Sequence, residues 1–174
     1  MDMQFTDVFC GYPGSVHDAR VFRNSPFFQD AEANPDNLFP RNTHLLSDSA
    51  YPLKRWVLTS FRDNGRLTRR QKRYNFVHSS TRMVVERSLG LLKGRFRKLK
   101  TQMEVDKIED APVIIVAACV LHNVCLMDDE GDIEDFIDGN RDDDDVDDDD
   151  DDDDDSPPCA NGEDKRNQIM RNLP

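Results

Sequence analysis

The sequence predicts an α/β domain carrying a disordered acidic tail, and three observations lead there. Residues Met3 to Cys10 set Met3, Phe5, Asp7 and Phe9 against Gln4, Thr6, Val8 and Cys10, the two-residue period of a strand rich in aromatic and β-branched side chains. Val85, Leu89, Leu92, Phe96 and Leu99 recur at spacings of four, three, four and three, which lays one apolar stripe along a helix from about Thr81 to Lys100. After Cys125 the character changes: Asp142 to Asp155 is aspartate throughout except Val146, a run that repels itself and has almost no apolar area to bury.

The remaining elements follow in order. Gly11, Pro13 and Gly14 punctuate the opening strand, and Ser15 is placed to cap a short helix through His17 to Phe22 that Pro26 limits. Asp30 to Thr43, with Pro35 and Pro40 and several Asn, reads as loop. His44 to Ser47 reads as a short buried strand delivering Asp48, and Pro52 suits the first turn of a helix over Leu53 to Phe61. Asp63 to Arg73 is a polar, arginine-rich connection. Asp110 caps a second helix with Pro112 near its first turn and an apolar run from Val113 to Val124, expected to be buried on most sides. Past the aspartates, Lys165 to Leu173 has the composition of a helix that forms with a partner.

Charge divides the chain at the same place as composition. Residues 1–125 hold 19 Lys plus Arg against 13 Asp plus Glu, whereas residues 126–174 hold 4 against 22, so an overall charge of −12 conceals a basic body. The expected organisation is therefore a domain over 1–125 and a tail over 126–174. A basic body points modestly to a polyanionic partner, because Lys and Arg gain affinity by releasing counterions from phosphates. No run reaches about 18 uninterrupted apolar residues, and the N-terminus has no basic region followed by an apolar one, so no membrane association is expected and the protein reads as soluble and not secreted. Cys10, Cys119, Cys125 and Cys159 show no CxxC pairing and read as reduced, structural and intracellular. His78 and His122 read as structural, and the four His lack metal-ligand spacing.

Two carboxylates stand in distinctive frames: Asp48 in LLSDSAYPLKRW, and Glu86 in HSSTRMVVERSLGLLKGRF. Asp48 alone reads equally as a turn or helix cap, and Glu86 alone as a surface ion-pair member. With the block GYPGSVHDARVF at Gly11 to Phe22 and VLHNVC at Val120 to Cys125, these frames make residues 1–125 resemble the Harbinger transposase-derived nucleases, domesticated relatives of the PIF/Harbinger DDE transposases.

The resemblance implies an RNase H-like fold, a mixed sheet flanked by helices, in which three acids hold two Mg²⁺ (or Mn²⁺) ions against a DNA phosphodiester. Two such ions would activate the attacking oxygen and relieve charge on the leaving one, and hard cations require oxygen ligands. Asp48 and Glu86 map onto the second and third acids, as metal ligands and catalytic residues. The first belongs to an opening strand upstream of the Gly-Ser-x-His-Asp block. The chain is expected to start after that strand and so to lack this acid and two strands; Asp7 and Asp18 do not occupy its position. Whether the chain is an enzyme is therefore open, the alternative being a non-catalytic nuclear DNA or protein interaction factor. Arg66, Arg69, Arg70, Lys72 and Arg73 are candidate phosphate contacts. The resemblance further implies a nuclear setting, with the cytoplasm as the second choice, and a Myb/SANT-like DNA-binding partner. For the aspartate run, screening of the basic body, capture of basic proteins and solubility all remain open.

Overall fold

The computed structural model describes residues 3–101, 105, 107–127 and 160–173. The expected disorder of the aspartate run lies outside them. The described residues fall into two compact units, 13–82 with 160–173 and 3–12 with 83–127.

In the first unit, Ser25 and Pro26 start the chain's first substantial helix. The order is α1 (Asp18–Arg23), α2 (Pro26–Ala33), α3 (Pro35–Leu38), β1 (Leu45–Leu46), β2 (Val57–Leu58), the first half of α4 (Arg69–Arg95) and α6 (Ala160–Asn172). The expected cap, Ser15, is not used; α1 follows His17 without a side-chain cap. Ser25 Oγ instead accepts from Phe28 N at 3.1 Å while Pro26 occupies N1, so the proline expected to end one helix begins the next. The expected loop from Asp30 is therefore largely helical. Arg41 and Asn42, both left-handed at φ 56° and 63°, turn the chain toward β1.

The strand before Asp48 is present as β1, but it is shorter than expected and not buried, Leu45 being exposed; it pairs in parallel with β2, Leu45 opposite Val57 and Leu46 opposite Leu58. The helix expected over Leu53 to Phe61 is absent. Trp56, Val57 and Leu58 have the aromatic and β-branched character of a strand, and their backbone bonds to β1 decide the conformation: Leu45 N donates to Trp56 O at 2.8 Å, and Ser47 N to Leu58 O at 3.0 Å. Trp56 anchors the core. Phe28 and Phe39 lie 5.4 Å from its ring, Phe22 and Phe27 at 6.0 and 6.3 Å, and Ala31 closes the cluster. Its indole N–H, a donor on a buried ring, finds its acceptor in the carboxylate of the exposed Glu32 at 3.2 Å.

Helix α4 is 27 residues long and starts at Arg69, twelve residues before the expected Thr81, and ends at Arg95. A capping box explains the early start: Gln71 N donates to Thr68 Oγ1 at 3.3 Å, and Thr68 N to Gln71 Oε1 at 2.9 Å. The polar connection thus becomes helix from Arg69 onward. Asn75 then holds both backbone groups of Phe61 at 2.8 Å, and buried His78 pairs with Leu58 O at 3.2 Å, fixing α4 against the sheet.

The second unit contains 3–12, the rest of α4, a 3₁₀ turn (Arg97–Leu99) and α5 (Asp110–Met127). Residues 3–10 form no strand. The Asn123 side chain occupies both backbone groups of Phe5, donating to its O at 2.7 Å and accepting from its N at 2.9 Å, where a neighbouring strand would bond. Leu92, Ala118 and Cys119 form the core, with Phe5, Val8, Phe96, Leu99 and Ile115 around them. The expected apolar stripe is only partly inward: Val85 and Leu89 are exposed, while the neighbouring Leu91 is fully buried.

Helix α5 departs further from expectation. Ala118, Cys119 and His122 are buried, but Val113, Val116, Val120, Leu121 and Val124 are exposed. It is also long and apolar enough, by length and composition, to cross a membrane; Asp110, Pro112, His122 and Asn123 break its run, so a search for uninterrupted apolar residues passes over it. Cys10, Cys119 and Cys125 are free thiols, as expected, with Cys10 Sγ directed at Pro112 O.

Candidate active site

Asp48 lies two residues beyond the end of β1, in the connection that returns as β2. Its Oδ1 accepts from Ala50 N at 2.9 Å, an Asx turn that orients the carboxylate, and its Oδ2 lies 3.7 Å from Nη2 of Arg82. At that distance and with Asp48 42% exposed, the ion pair contributes at most about 1 kcal/mol. Beside it, the Tyr51 phenol is pushed up to about 12, first by burial and then by the carboxylates of Asp18 and Asp48, with Arg82 opposing. Tyr51 therefore stands in the field of two acids, one from the Gly-Ser-x-His-Asp block. Burial lowers the pKa of His78, whose hydrogen bond to Leu58 O works the other way; Arg82 and Arg166 lower it further against Asp48. A neutral His78 donating to a carbonyl is a structural part, as the sequence suggested.

Glu86 is exposed on α4, in the unit that does not contain Asp48, and makes no hydrogen bond or ion pair among the described residues. Arg69, Arg70, Lys72 and Arg73 are exposed on the first turns of α4, and Arg66 lies in the turn before it.

No three His, Cys, Asp or Glu side chains among the described residues come together to hold a metal ion. The oxygen chemistry of Asp48 suits a hard divalent cation, but one carboxylate already facing a guanidinium is too small a donor set. The donor type fits the implied metal and the donor number does not.

A second feature of the first unit escaped sequence reading. Ser49, Tyr51, Thr59, Phe61, Arg62, Arg66, Gln71 and Arg166 are among the residues that line a cavity of about 480 Å³, to which no described residue brings a carboxylate. Arg166 comes from α6. Gly162 makes that docking possible, since a Cβ there would lie 2.9 Å from the Lys54 carbonyl carbon; Lys165, 6% exposed, donates to Thr43 O at 3.0 Å. The expected partner of this helix is thus the chain's own body. No sequence signal linked Arg166 to Phe61, which lie more than a hundred residues apart. Tyr51 was findable, as the Tyr-Pro following Asp48.

An arginine-rich, helix-dominated α/β protein with an oriented aspartate at a strand end is the class that fold and site define. The chain belongs to the DDE superfamily endonuclease family, which matches residues 1–123. It is 36% identical over 118 residues to "Putative nuclease HARBI1" of Mus musculus, covering 66% of this chain and 32% of the relative. It is 32% identical over 140 residues to "Protein ALP1-like" of Arabidopsis thaliana, covering 74% and 34%. These relatives are Harbinger transposase-derived, as the sequence blocks suggested. The chain spans about a third of the length of the curated relatives it matches. No solved structure matches it. The family as a class is one of endonucleases, with divalent-metal dependence in general and DNA as its substrate class.

Proposed function

We propose that this chain is a transposase-derived, nuclease-like protein acting on DNA phosphodiesters, with the architecture of part of an RNase H-like domain. On this reading Asp48 and Glu86 each offer a carboxylate to Mg²⁺ (or Mn²⁺); the donor number falls short, and further acid has to be supplied before cleavage or strand transfer is possible. The observation that carries this reading is the family match over 1–123 together with Asp48 held at a strand end by an Asx turn. Arg66, Arg69, Arg70, Lys72 and Arg73 contact backbone phosphates, positioning the duplex without reading its bases. The setting is the nucleus, with a Myb/SANT-like partner supplying sequence recognition.

The test is calorimetry with Mg²⁺ and Mn²⁺. Asp48→Asn and Glu86→Gln should each weaken metal binding by at least about tenfold. No metal binding by the intact chain, or equal binding by both variants, would overturn the metal assignment. A second reading, a non-catalytic DNA or protein interaction factor, draws support from one feature: Arg82 lies where it competes with a cation for Asp48. On that reading Arg82→Gln leaves metal binding undetectable, whereas on the first it strengthens it.

A further inference from the structure

The cavity beneath α6 has the composition of an anion seat. Three arginines, Arg62, Arg66 and Arg166, are among its lining residues with the hydroxyl-bearing Ser49, Thr59 and Ser60 and the amide-bearing Asn64 and Gln71, and among the described residues no carboxylate lines it. Its volume of about 480 Å³ accommodates a ligand of nucleotide size, within the usual range of small-molecule sites.

Arg166 is the unusual member. Its guanidinium lies 4.0 Å from the Phe61 ring centroid, a cation–π stack that fixes its plane, and Nη1 donates to Ser60 O at 3.2 Å. Nε is buried without a partner, and among the described residues Nη1 alone of its nitrogens finds an acceptor. Desolvation, the largest influence on its pKa, acts against the cation; Tyr74 and Glu163 oppose it through charge. A purely structural arginine at this position would be expected to spend more of its donors. A rigid, partly desolvated guanidinium lining a cavity that it shares with Arg62 and Arg66, to which no described residue brings a carboxylate, is an arrangement suited to phosphate oxygens.

We propose that α6 completes a phosphate-binding cavity, with Arg62 and Arg66 from the segment before α4 and Arg166 from the C-terminal helix as its cationic contacts. The ligand is a phosphate group, either of a nucleic-acid backbone or of a free phosphate compound. Docking of α6 through Gly162 and Lys165 sets the third contact, so the C-terminal helix governs whether the cavity is complete. The backbone source rests on the DNA reading above and deepens it. Because the readout is binding without metal or cleavage, either proposal can fail alone.

The experiment measures binding of a fluorescent duplex oligonucleotide to the full chain across a salt series without divalent metal, and competition by inorganic phosphate. Arg66→Gln and Arg166→Gln should each weaken oligonucleotide binding about five- to tenfold and reduce the salt slope by about one. Arg20→Gln, an exposed arginine outside the cavity, should change neither. Arg66 is exposed and its side chain packs into no core cluster, so its variant separates contact loss from undocking of α6. If inorganic phosphate displaces the oligonucleotide, and does so less well for the Arg66 variant, the seat takes phosphate groups generally. If phosphate has no effect while both variants lose oligonucleotide affinity, the seat belongs to the nucleic-acid backbone. Equal binding of both probes by parent, Arg66→Gln and Arg166→Gln, or a loss no larger than that of Arg20→Gln, would overturn the proposal.

Discussion

Replacing Gly162 by alanine sets two physical effects against each other, and the structure decides which is larger. Gly162 is the third residue of α6, where alanine favours an isolated helix by about 1 kcal/mol. In the docked helix, however, the new Cβ would meet Lys54 at 2.9 Å from its carbonyl carbon, 3.1 Å from its oxygen and 3.2 Å from its Cα. Comfortable carbon contacts begin at about 3.5 Å, so something has to move by roughly half an ångström. Lys54 is poorly able to yield, because its N and O are both engaged with Val57, at 2.9 and 3.2 Å. The helix therefore backs away, and two contacts one turn further on weaken with it. The bond from buried Lys165 to Thr43 O contributes about 1.5–3 kcal/mol. The stack of Arg166 on Phe61 contributes about 0.5–2 kcal/mol. Against a gain of about 1 kcal/mol, docking loses a net of about 1–4 kcal/mol. Limited trypsin digestion reads this directly, since Lys165 and Arg166 are the sites that docking protects. Cleavage there should accelerate by about fivefold or more when opening is fast compared with proteolysis. Protection equal to or greater than the parent's would show that helix propensity outweighs the close approach, and the account of α6 docking would be wrong.

Further expectations concern the body of the protein. Burial lowers the pKa of His44, His78 and His122 below the ordinary 6.5, so the unfolded chain takes up protons first on acidification. The associated stability is complete above pH about 6.5 and is lost as pH falls below it, so the urea midpoint should drop between pH 8 and 5.5; a constant or rising midpoint refutes this. Trp56→Ala removes the ring on which four phenylalanines converge and should cost about 3–5 kcal/mol in chemical denaturation followed by circular dichroism. A loss under about 1 kcal/mol would mean that the aromatic cluster is not the core of its unit. Deleting Asp142 to Asp155 should strengthen non-specific DNA binding at low salt, with the effect fading as salt rises; an unchanged affinity across the series rules out screening by the tail.

Elements whose signals are complete within a few residues were legible. The strand end before Asp48, the central turns of α4, and α5 with Pro112 in its first turn all appear where the sequence placed them. Others were legible but misjudged. Ser25-Pro26 is a helix start, and Thr68 with Gln71 a capping box, yet both were absorbed into neighbouring punctuation and polar sequence. A third group depended on partners far along the chain. Residues 3–10 have a strand's alternation, but their neighbour is the Asn123 side chain. Leu53 to Phe61 follows a helix-favouring proline, but Val57 and Leu58 find Leu45 and Leu46. The sequence frames of Glu86 and Asp48 are legible as written, whereas the ion pair of Asp48 with Arg82 is a fact of the fold.

The sequence by itself determined the family, the basic character of residues 1–125, the acidic tail composition and the strand end that presents Asp48, because each is written in adjacent residues or in their counts. Only the tertiary structure decided that the Leu53 to Phe61 segment is partly strand, that α5 exposes one apolar side, and that a C-terminal helix brings Arg166 onto Phe61 beside Arg62 and Arg66. Capping and turn formation are short-range and are fixed by neighbours in sequence. Strand pairing, burial and the assembly of a charged cavity depend on which distant surfaces meet, and a glycine that admits a helix to within 2.9 Å of another backbone acquires its meaning only once that backbone is in place.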